Sequence, residues 1–146
     1  MSAHALKWRF IILASAGFAL SLAGPAWSQS ETFGISLELN KAETTNGNCR
    51  LSFVMENGTG NSVSSAAYEI VLFDKDGVID QLSVFDFGDM PVGKTVVRQF
   101  ELSGLPCAEA DRLLINAPSG CSAKQMPLHC SAPLALSSRT KLTLAQ

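Results

Sequence analysis

The chain has 146 residues, of which 47% are hydrophobic and 16% are charged, and its formal net charge at pH 7 is −2. This length suits one domain with a hydrophobic core of its own and is too short for two. Because neither sign of charge forms a run, nucleic acid and anionic membranes are not expected partners.

Residues 1–28 have the pattern of a secretory signal peptide. Lys7 and Arg9 precede an apolar stretch at 10–23, and a small-x-small cleavage site ends at Ser28. The apolar stretch is shorter than the roughly 20 residues that a membrane-spanning helix needs. We therefore predict that the leader is cleaved near its last residue.

The expected mature chain, residues 29–146, is a single domain. Loss of Lys7 and Arg9 with the leader changes the net charge from −2 to −4. We expect this chain in the periplasm, without membrane insertion after cleavage.

Short alternating or apolar segments, separated by Gly, Pro and Asn turns, predict seven β-strands. A helical turn is expected at 106–111, and a polar turn at 57–59. The strands lie at 35–41, 49–56, 68–73, 78–87, 95–102, 112–116 and 138–144. This pattern predicts an all-β protein with an immunoglobulin-like or fibronectin-like β-sandwich, and a small closed barrel is the alternative.

The central hairpin joins the apolar strand 68–73 to the next strand through a turn at 74–77. The Asp side chains there can accept hydrogen bonds from nearby backbone N–H groups, and Gly77 tolerates a positive φ. Phe73 is expected on the outer face, covered by a loop. The side chains of opposite parity are expected between the sheets: Tyr68, Ile70 and Leu72.

Two later segments carry specific expectations. Arg98 shares the apolar parity of strand 95–102, which places that strand near a sheet edge, where the long side chain can reach water. Residues 118–133 are predicted to be irregular and pinned by a disulfide. In the last strand, two side chains should face inward and two outward: Leu142 and Leu144, then Arg139 and Lys141.

An even number of cysteines in an exported chain predicts two disulfides. The four are Cys49, Cys107, Cys121 and Cys130. The short, turn-like segment between Cys121 and Cys130 favours pairing these two, which leaves Cys49 for Cys107. The alternative, Cys49–Cys130 with Cys107–Cys121, stays open.

The central region resembles the FxLYD-type immunoglobulin-like modules of bacterial envelope proteins. The matching residues are Ile-Val-Leu-Phe-Asp at 70–74, Gly77, and Pro-Val-Gly-Lys-Thr at 91–95. Most of the mature chain is also similar to small exported bacterial proteins described as Tat pathway signal or uncharacterised periplasmic proteins. This similarity rests on ISLELNK, VLFDKDGVI, GKTVVRQFEL and GLPC. The resemblance implies the fold and the compartment and brings no assigned catalytic residues.

Two segments contain possible metal ligands. Residues 74–80, DKDGVID, place Gly fourth, whereas a calcium-binding EF-hand loop needs it sixth, so a hairpin turn is the better interpretation. Soft ligands come close together at Cys121, Met126, His129 and Cys130. Because only one His remains after the leader and no paired Cys-x-x-Cys exists, a disulfide is favoured over copper or zinc. We assign no metal-binding residue and no cofactor.

Catalytic motifs are equally sparse. A Ser-His-Asp triad would depend on His129, and the chain has no Gly-x-Ser-x-Gly elbow. Asp86, Asp89 and Glu101 could converge as paired carboxylates, although solvated loop charges are the simpler interpretation. No catalytic residue is assigned.

These observations favour a non-enzymatic protein that acts by contact with another envelope protein, as an accessory part of a larger assembly. The alternative hypothesis is a periplasmic hydrolase or metal-binding protein whose site is assembled from dispersed residues.

Overall fold

The computed structural model describes the backbone at residues 34–122 and 134–146. This part of the chain contains eight strands and one 3₁₀ turn, Cys107–Glu109. The strands are β1 (Ile35–Thr45), β2 (Asn48–Asn57), β3 (Ser65–Asp74), β4 (Ile79–Asp86), β5 (Thr95–Leu102), β6 (Ala110–Ser122), β7 (Ala135–Ser138) and β8 (Thr143–Ala145). The predicted leader and residues 123–133 of the 118–133 segment lie outside the described residues.

The strands form two four-stranded sheets. Sheet I has the order β5-β2-β1-β7, and sheet II has the order β4-β3-β6-β8. Both sheets have open edges and share one hydrophobic core, so the arrangement is that of a sandwich and not of a closed barrel. The all-β prediction is confirmed.

The first hairpin of sheet I follows directly from the sequence. Apolar side chains at alternate positions of β1 are buried, namely those of Ile35, Leu37 and Leu39. The turn to β2 is Asn46-Gly47, and both residues have positive φ, 51° and 80°. Two-residue turns of this kind match the twist of paired strands, and Asn-Gly adopts them at little cost.

Phenylalanine rings fill the centre of the sandwich. Phe85 of sheet II stacks on Phe100 of sheet I with ring centroids 4.1 Å apart. The ring of Phe53 lies edge-on to Phe87 at 5.5 Å. Burying one such side chain is worth about 1.5–3 kcal/mol, so this cluster is a large part of the force that holds the two sheets together.

The inward-facing side chains of the central strand, β3, are those that the sequence predicts. Tyr68, Ile70 and Leu72 are at most 2% exposed and belong to the core between the sheets. Phe73 lies half-buried, and its cover is the guanidinium group of Arg112, 4.1 Å from the ring centroid. The expected loop cover is therefore wrong: the neighbouring strand β6 supplies it.

Strand β6 is longer than predicted. The sequence indicates a strand at 112–116 and an irregular segment from Pro118, but β6 continues to Ser122. Its register against β3 shifts between Ala67 and Tyr68, so that Pro118 sits opposite Tyr68 at the irregularity. A proline lacks the N–H of a regular ladder, and a bulge is where a sheet accommodates it.

The last predicted strand is two strands in different sheets. β7 pairs in parallel with β1 in sheet I, and β8 pairs in parallel with β6 in sheet II. Between them Ser138 donates a hydrogen bond to the Leu142 carbonyl at 2.7 Å and fixes the crossing. Leu142 is buried, Leu144 packs against the core, and Arg139 and Lys141 are exposed, as predicted.

Candidate functional site

A disulfide ties sheet I to the 3₁₀ turn. Cys49 and Cys107 are bonded, with their Cα atoms 4.6 Å apart. This confirms the Cys49–Cys107 bond of the favoured pairing and excludes the alternative in which Cys49 pairs with Cys130. The bond closes a 58-residue separation, which chain-entropy arguments value at roughly 4 kcal/mol. The second predicted bond, Cys121–Cys130, lies outside the described side chains, as do Met126 and His129.

The segment 74–80 is a hairpin turn, as the sequence favours. The Asp74 carboxylate accepts hydrogen bonds from the backbone N–H of Asp76 at 2.9 Å and of Val78 at 2.8 Å. Gly77 has a φ of 76°. One oxygen of the Asp74 carboxylate, Oδ1, is thus engaged by the backbone of the turn.

The three candidate carboxylates do not converge. Glu101 lies on the outer face of sheet I, where it accepts hydrogen bonds from Asn48 at 2.6 Å and from Arg50 at 3.3 Å. Asp86 ends β4 in sheet II and accepts from the N–H of Gly88. In residues 34–122 and 134–146, no group of three or more His, Cys, Asp or Glu is placed to hold a metal ion.

A buried asparagine forms the hydrogen bonds that hold one end of the sandwich. The sequence predicts only a turn at this position. Asn57 is 0% exposed. Its amide nitrogen donates to the carbonyls of Asn61 at 2.7 Å and Met90 at 2.8 Å. Its amide oxygen accepts from the N–H and the hydroxyl of Thr59. A polar residue at a position of β2 that faces the core was the feature of the sequence that could have indicated this role.

The outer face of sheet II carries exposed aliphatic side chains on its edge strand. Ile79, Leu82 and Val84 of β4 are 54–59% exposed. The register places Leu82 beside Val71, which in turn lies beside Leu114 of β6. These five residues are called the aliphatic face below. Soluble proteins seldom expose contiguous apolar surface without a use for it.

The four sheet edges are protected to different degrees. β7 and β8 are only 4 and 3 residues long. β5 points Arg98 inward, and its guanidinium donates to the Phe87 carbonyl at 2.8 Å, which confirms the edge position predicted from its parity. Beyond the bulge at Asp80, β4 has neither proline, lysine nor an inward charge. Short strands and inward charges are the usual protection of a sheet edge, so β4 is the least protected.

A cleft of about 860 Å³ lies at the disulfide end, beside the crossing from β7 to β8. Its lining includes four cationic side chains and one carboxylate: Lys41, Lys75, Arg139 and Lys141, with Asp111. We call this the basic cleft. Small or apolar residues complete it, among them Ala42, Ala108, Ala110 and Leu142.

Three of these cations also contact carboxylates. Arg139 pairs with Glu38 at 2.9 Å, and Lys41 pairs with Glu43 at 2.6 Å. Lys75 approaches Glu109 at 3.9 Å. Hydrogen bonds from Asn40 and then from Arg139 lower the pKa of Glu38, so this carboxylate stays ionised.

Within the described residues, no helix is long and apolar enough to cross a membrane. No family model, curated protein or solved structure matches this chain. The surfaces of the protein itself are therefore the basis for proposing its function.

Proposed function

We propose that the protein is a non-enzymatic component of the cell envelope that acts by contact with another protein, as an accessory part of a larger assembly. The contact is made at the β4 edge and the aliphatic face of sheet II. The partner contributes an extended segment that adds to sheet II as a fifth strand. The single observation that carries this proposal is an unprotected edge strand with exposed aliphatic side chains.

Strand addition suits this surface better than other modes of contact. A sheet edge offers a row of unpaired backbone N–H and C=O groups, which supply affinity without regard to sequence. Leu82 and Val84 alternate with Ser83 along β4, so apolar side chains at alternate positions of the partner would lie beside them. The chemistry expected of the partner is therefore an extended segment with apolar residues at every second position.

The compartment is proposed from the leader and the cysteines. Residues 1–28 have the organisation of a signal peptide, and disulfides persist in oxidising compartments. The Cys49–Cys107 bond fits an exported protein that folds in the periplasm.

The finer fold assignment is also a proposal. An immunoglobulin-like sandwich places strands A, B and E in one sheet and C, F and G in the other. Here β1, β2 and β5 share sheet I, and β3, β6 and β8 share sheet II, which supports the resemblance to FxLYD-type modules. The parallel pairing of β8 with β6 departs from the antiparallel pattern of that fold.

Site-specific photocrosslinking in intact cells tests the contact surface. A photoreactive amino acid is placed at Leu82 in one variant and at Val97 in another. Val97 is the matched control, because it is 57% exposed on the edge strand of sheet I. We expect an adduct from position 82 and none from position 97, and we expect Val84→Lys to abolish it.

Peptide mapping of the adduct identifies the occupant. An attached extended segment with alternating apolar residues supports the proposal. An adduct with a second copy of this chain, equal adducts from both positions, or no adduct at all contradicts it. Turnover in a hydrolase substrate screen, or stoichiometric metal in the purified protein, would favour the alternative hypothesis.

A further inference from the structure

We propose that the basic cleft binds an amphiphilic anion, namely a carboxylate or phosphate group attached to an apolar chain or ring. This inference concerns a different surface from the β4 edge and does not rest on the proposed function. It depends on the charge, the lining and the rigidity of the cleft.

The charge of the cleft is opposite to that of the protein. The chain has 11 basic and 13 acidic residues, yet four basic side chains line this one cleft with a single carboxylate, that of Asp111. The cations come from β1, the β3–β4 turn and the β7–β8 crossing, three segments far apart in sequence. Three of these cations pair with carboxylates that do not line the cleft, so an anionic ligand would exchange with those carboxylates and also contact Lys141.

The existing ion pairs leave these cations available. The Lys75–Glu109 pair is 60% exposed on both sides, and Arg139 is 70% exposed. Exposed pairs of this kind are weak, so a ligand that engages several cations at once can recruit them. Lys141 is also exposed.

The apolar part of the lining determines which group the ligand carries besides its charge. Ala108 is exposed and Ala42 is partly buried, whereas Ala110 and Leu142 are nearly buried, at 7% and 4% exposed. An inorganic anion would contact the cationic rim and leave the accessible alanine side chains in water. A ligand that carries a short apolar group beside its charge covers both, and burial of that group strengthens binding.

Covalent and hydrogen bonds hold the walls of the cleft in place. The Cys49–Cys107 bond anchors the 3₁₀ turn to β2. The N–H of Arg139 donates to the Leu39 carbonyl at 2.9 Å, next to the bulge between Leu39 and Lys41. A preformed site loses less conformational entropy on binding, which favours a small ligand.

Four probes separate charge from apolar contact: hexyl phosphate, hexanoate, hexanol and inorganic phosphate. Each is titrated into the exported, purified protein, and backbone amide shifts are followed by NMR at constant ionic strength. We expect saturable shifts of residues around Arg139 and Ala108 with the two amphiphilic anions. Hexanol and inorganic phosphate should each bind at least tenfold more weakly than hexyl phosphate.

Variants then locate the site. We expect the double variant Arg139→Gln/Lys141→Gln to weaken hexyl phosphate binding at least tenfold. Ala108→Trp should weaken it similarly while every charge remains, because the indole fills the cleft. Lys94→Gln, in the β4–β5 loop, removes a positive charge outside the cleft and is the control that should leave binding unchanged. All changed side chains are exposed, and unchanged amide shifts away from the cleft confirm that each variant folds.

Several results would overturn the proposal. Hexanol binding as tightly as the anions would indicate an apolar pocket alone, and inorganic phosphate binding as tightly as hexyl phosphate would indicate a charge effect alone. An equal loss in Lys94→Gln would show nonspecific attraction. Leu82→Lys should leave binding intact, so a failure here is distinguishable from a failure of the proposed protein contact.

Discussion

The outer faces of the two sheets differ although both belong to one small sandwich. On sheet I, polar side chains pair across strands: Arg50 with Glu101, and Gln99 with Ser52 at 2.8 Å. On sheet II, the corresponding surface is the aliphatic face. Folding requires only that the inner faces be buried, so the composition of an outer face reflects what that face contacts. Sheet I presents more polar pairs to water, whereas sheet II presents the aliphatic face beside the polar pair that Asn116 forms with Glu69.

The largest expected effect is the difference in stability loss between substitutions on the inner and the outer surface of sheet II. Leu72→Ala should lower the free energy of unfolding by about 2–5 kcal/mol, because Leu72 is 1% exposed and its truncation leaves a cavity. Leu82→Ala changes the same residue type on the aliphatic face, and we expect a cost within about 0.5 kcal/mol. Denaturant midpoints give both values. If Leu82→Ala costs as much as Leu72→Ala, the aliphatic face is already covered in the isolated protein.

A second pair compares a buried amide with an exposed one. Asn57→Ala should cost on the order of 3 kcal/mol, since it removes the bonds donated to the Asn61 and Met90 carbonyls and the acceptor of Thr59. Asn116→Ala removes an exposed amide that donates to Glu69 on sheet II, and it should cost less than about 1 kcal/mol. Thermal and denaturant unfolding measure both. Equal costs would show that Asn57 does not hold its end of the sandwich.

The sequence determines the inner faces better than the outer ones. Alternation in β1 and β5, and the parity of Tyr68 and Leu72, predicted burial correctly because a one-residue slip would expose a whole apolar row. β6 was underestimated because Pro118 resembles a strand end unless the bulge beside it in β6 is known. The C-terminal crossing was missed because parity continues through it and does not reveal a change of sheet.

The candidate surfaces depend on pairing that a linear pattern does not contain. Leu82 and Val84 are typical strand residues, and only the strand order shows that β4 is an edge. The basic cleft joins Lys41, Lys75 and Arg139 from segments separated by more than thirty residues each. The disulfide was predictable because four cysteines allow only three connectivities.

A third prediction concerns the half-buried ring at the rim of the aliphatic face. The Arg112 guanidinium lies over Phe73, and such contacts contribute roughly 0.5–1 kcal/mol at exposed sites. A double-mutant cycle with Phe73→Leu and Arg112→Gln should return a coupling energy of about that size. The control cycle combines Arg112→Gln with Val97→Ala on the other sheet and should be additive. If both cycles are additive, the Arg112 guanidinium has no measurable interaction energy with the Phe73 ring.

The smallest expected effect lies on the polar face of sheet I and depends on pH. Hydrogen bonds from Asn48 and then from Arg50 lower the pKa of Glu101 below its ordinary value of 4.5. A carboxyl with a depressed folded-state pKa stabilises the fold above its unfolded pKa, and this contribution is lost as pH falls through the folded pKa. Carboxyl NMR titration should therefore place the Glu101 pKa below 4.5 in the wild type and higher in Asn48→Ala.

The stability measurement separates this titration from a general loss. Asn48 also accepts a hydrogen bond from the Gly104 N–H, so Asn48→Ala loses some stability at every pH. Because only the Glu101 part depends on pH, the difference between wild type and Asn48→Ala should shrink as pH is lowered from about 6 to about 3. Gln99→Ala, on the same face but hydrogen-bonded to Ser52 and not to Glu101, should give a difference that does not change with pH. If the difference for Asn48→Ala stays constant with pH, the hydrogen bond from Asn48 does not stabilise the ionised form of Glu101.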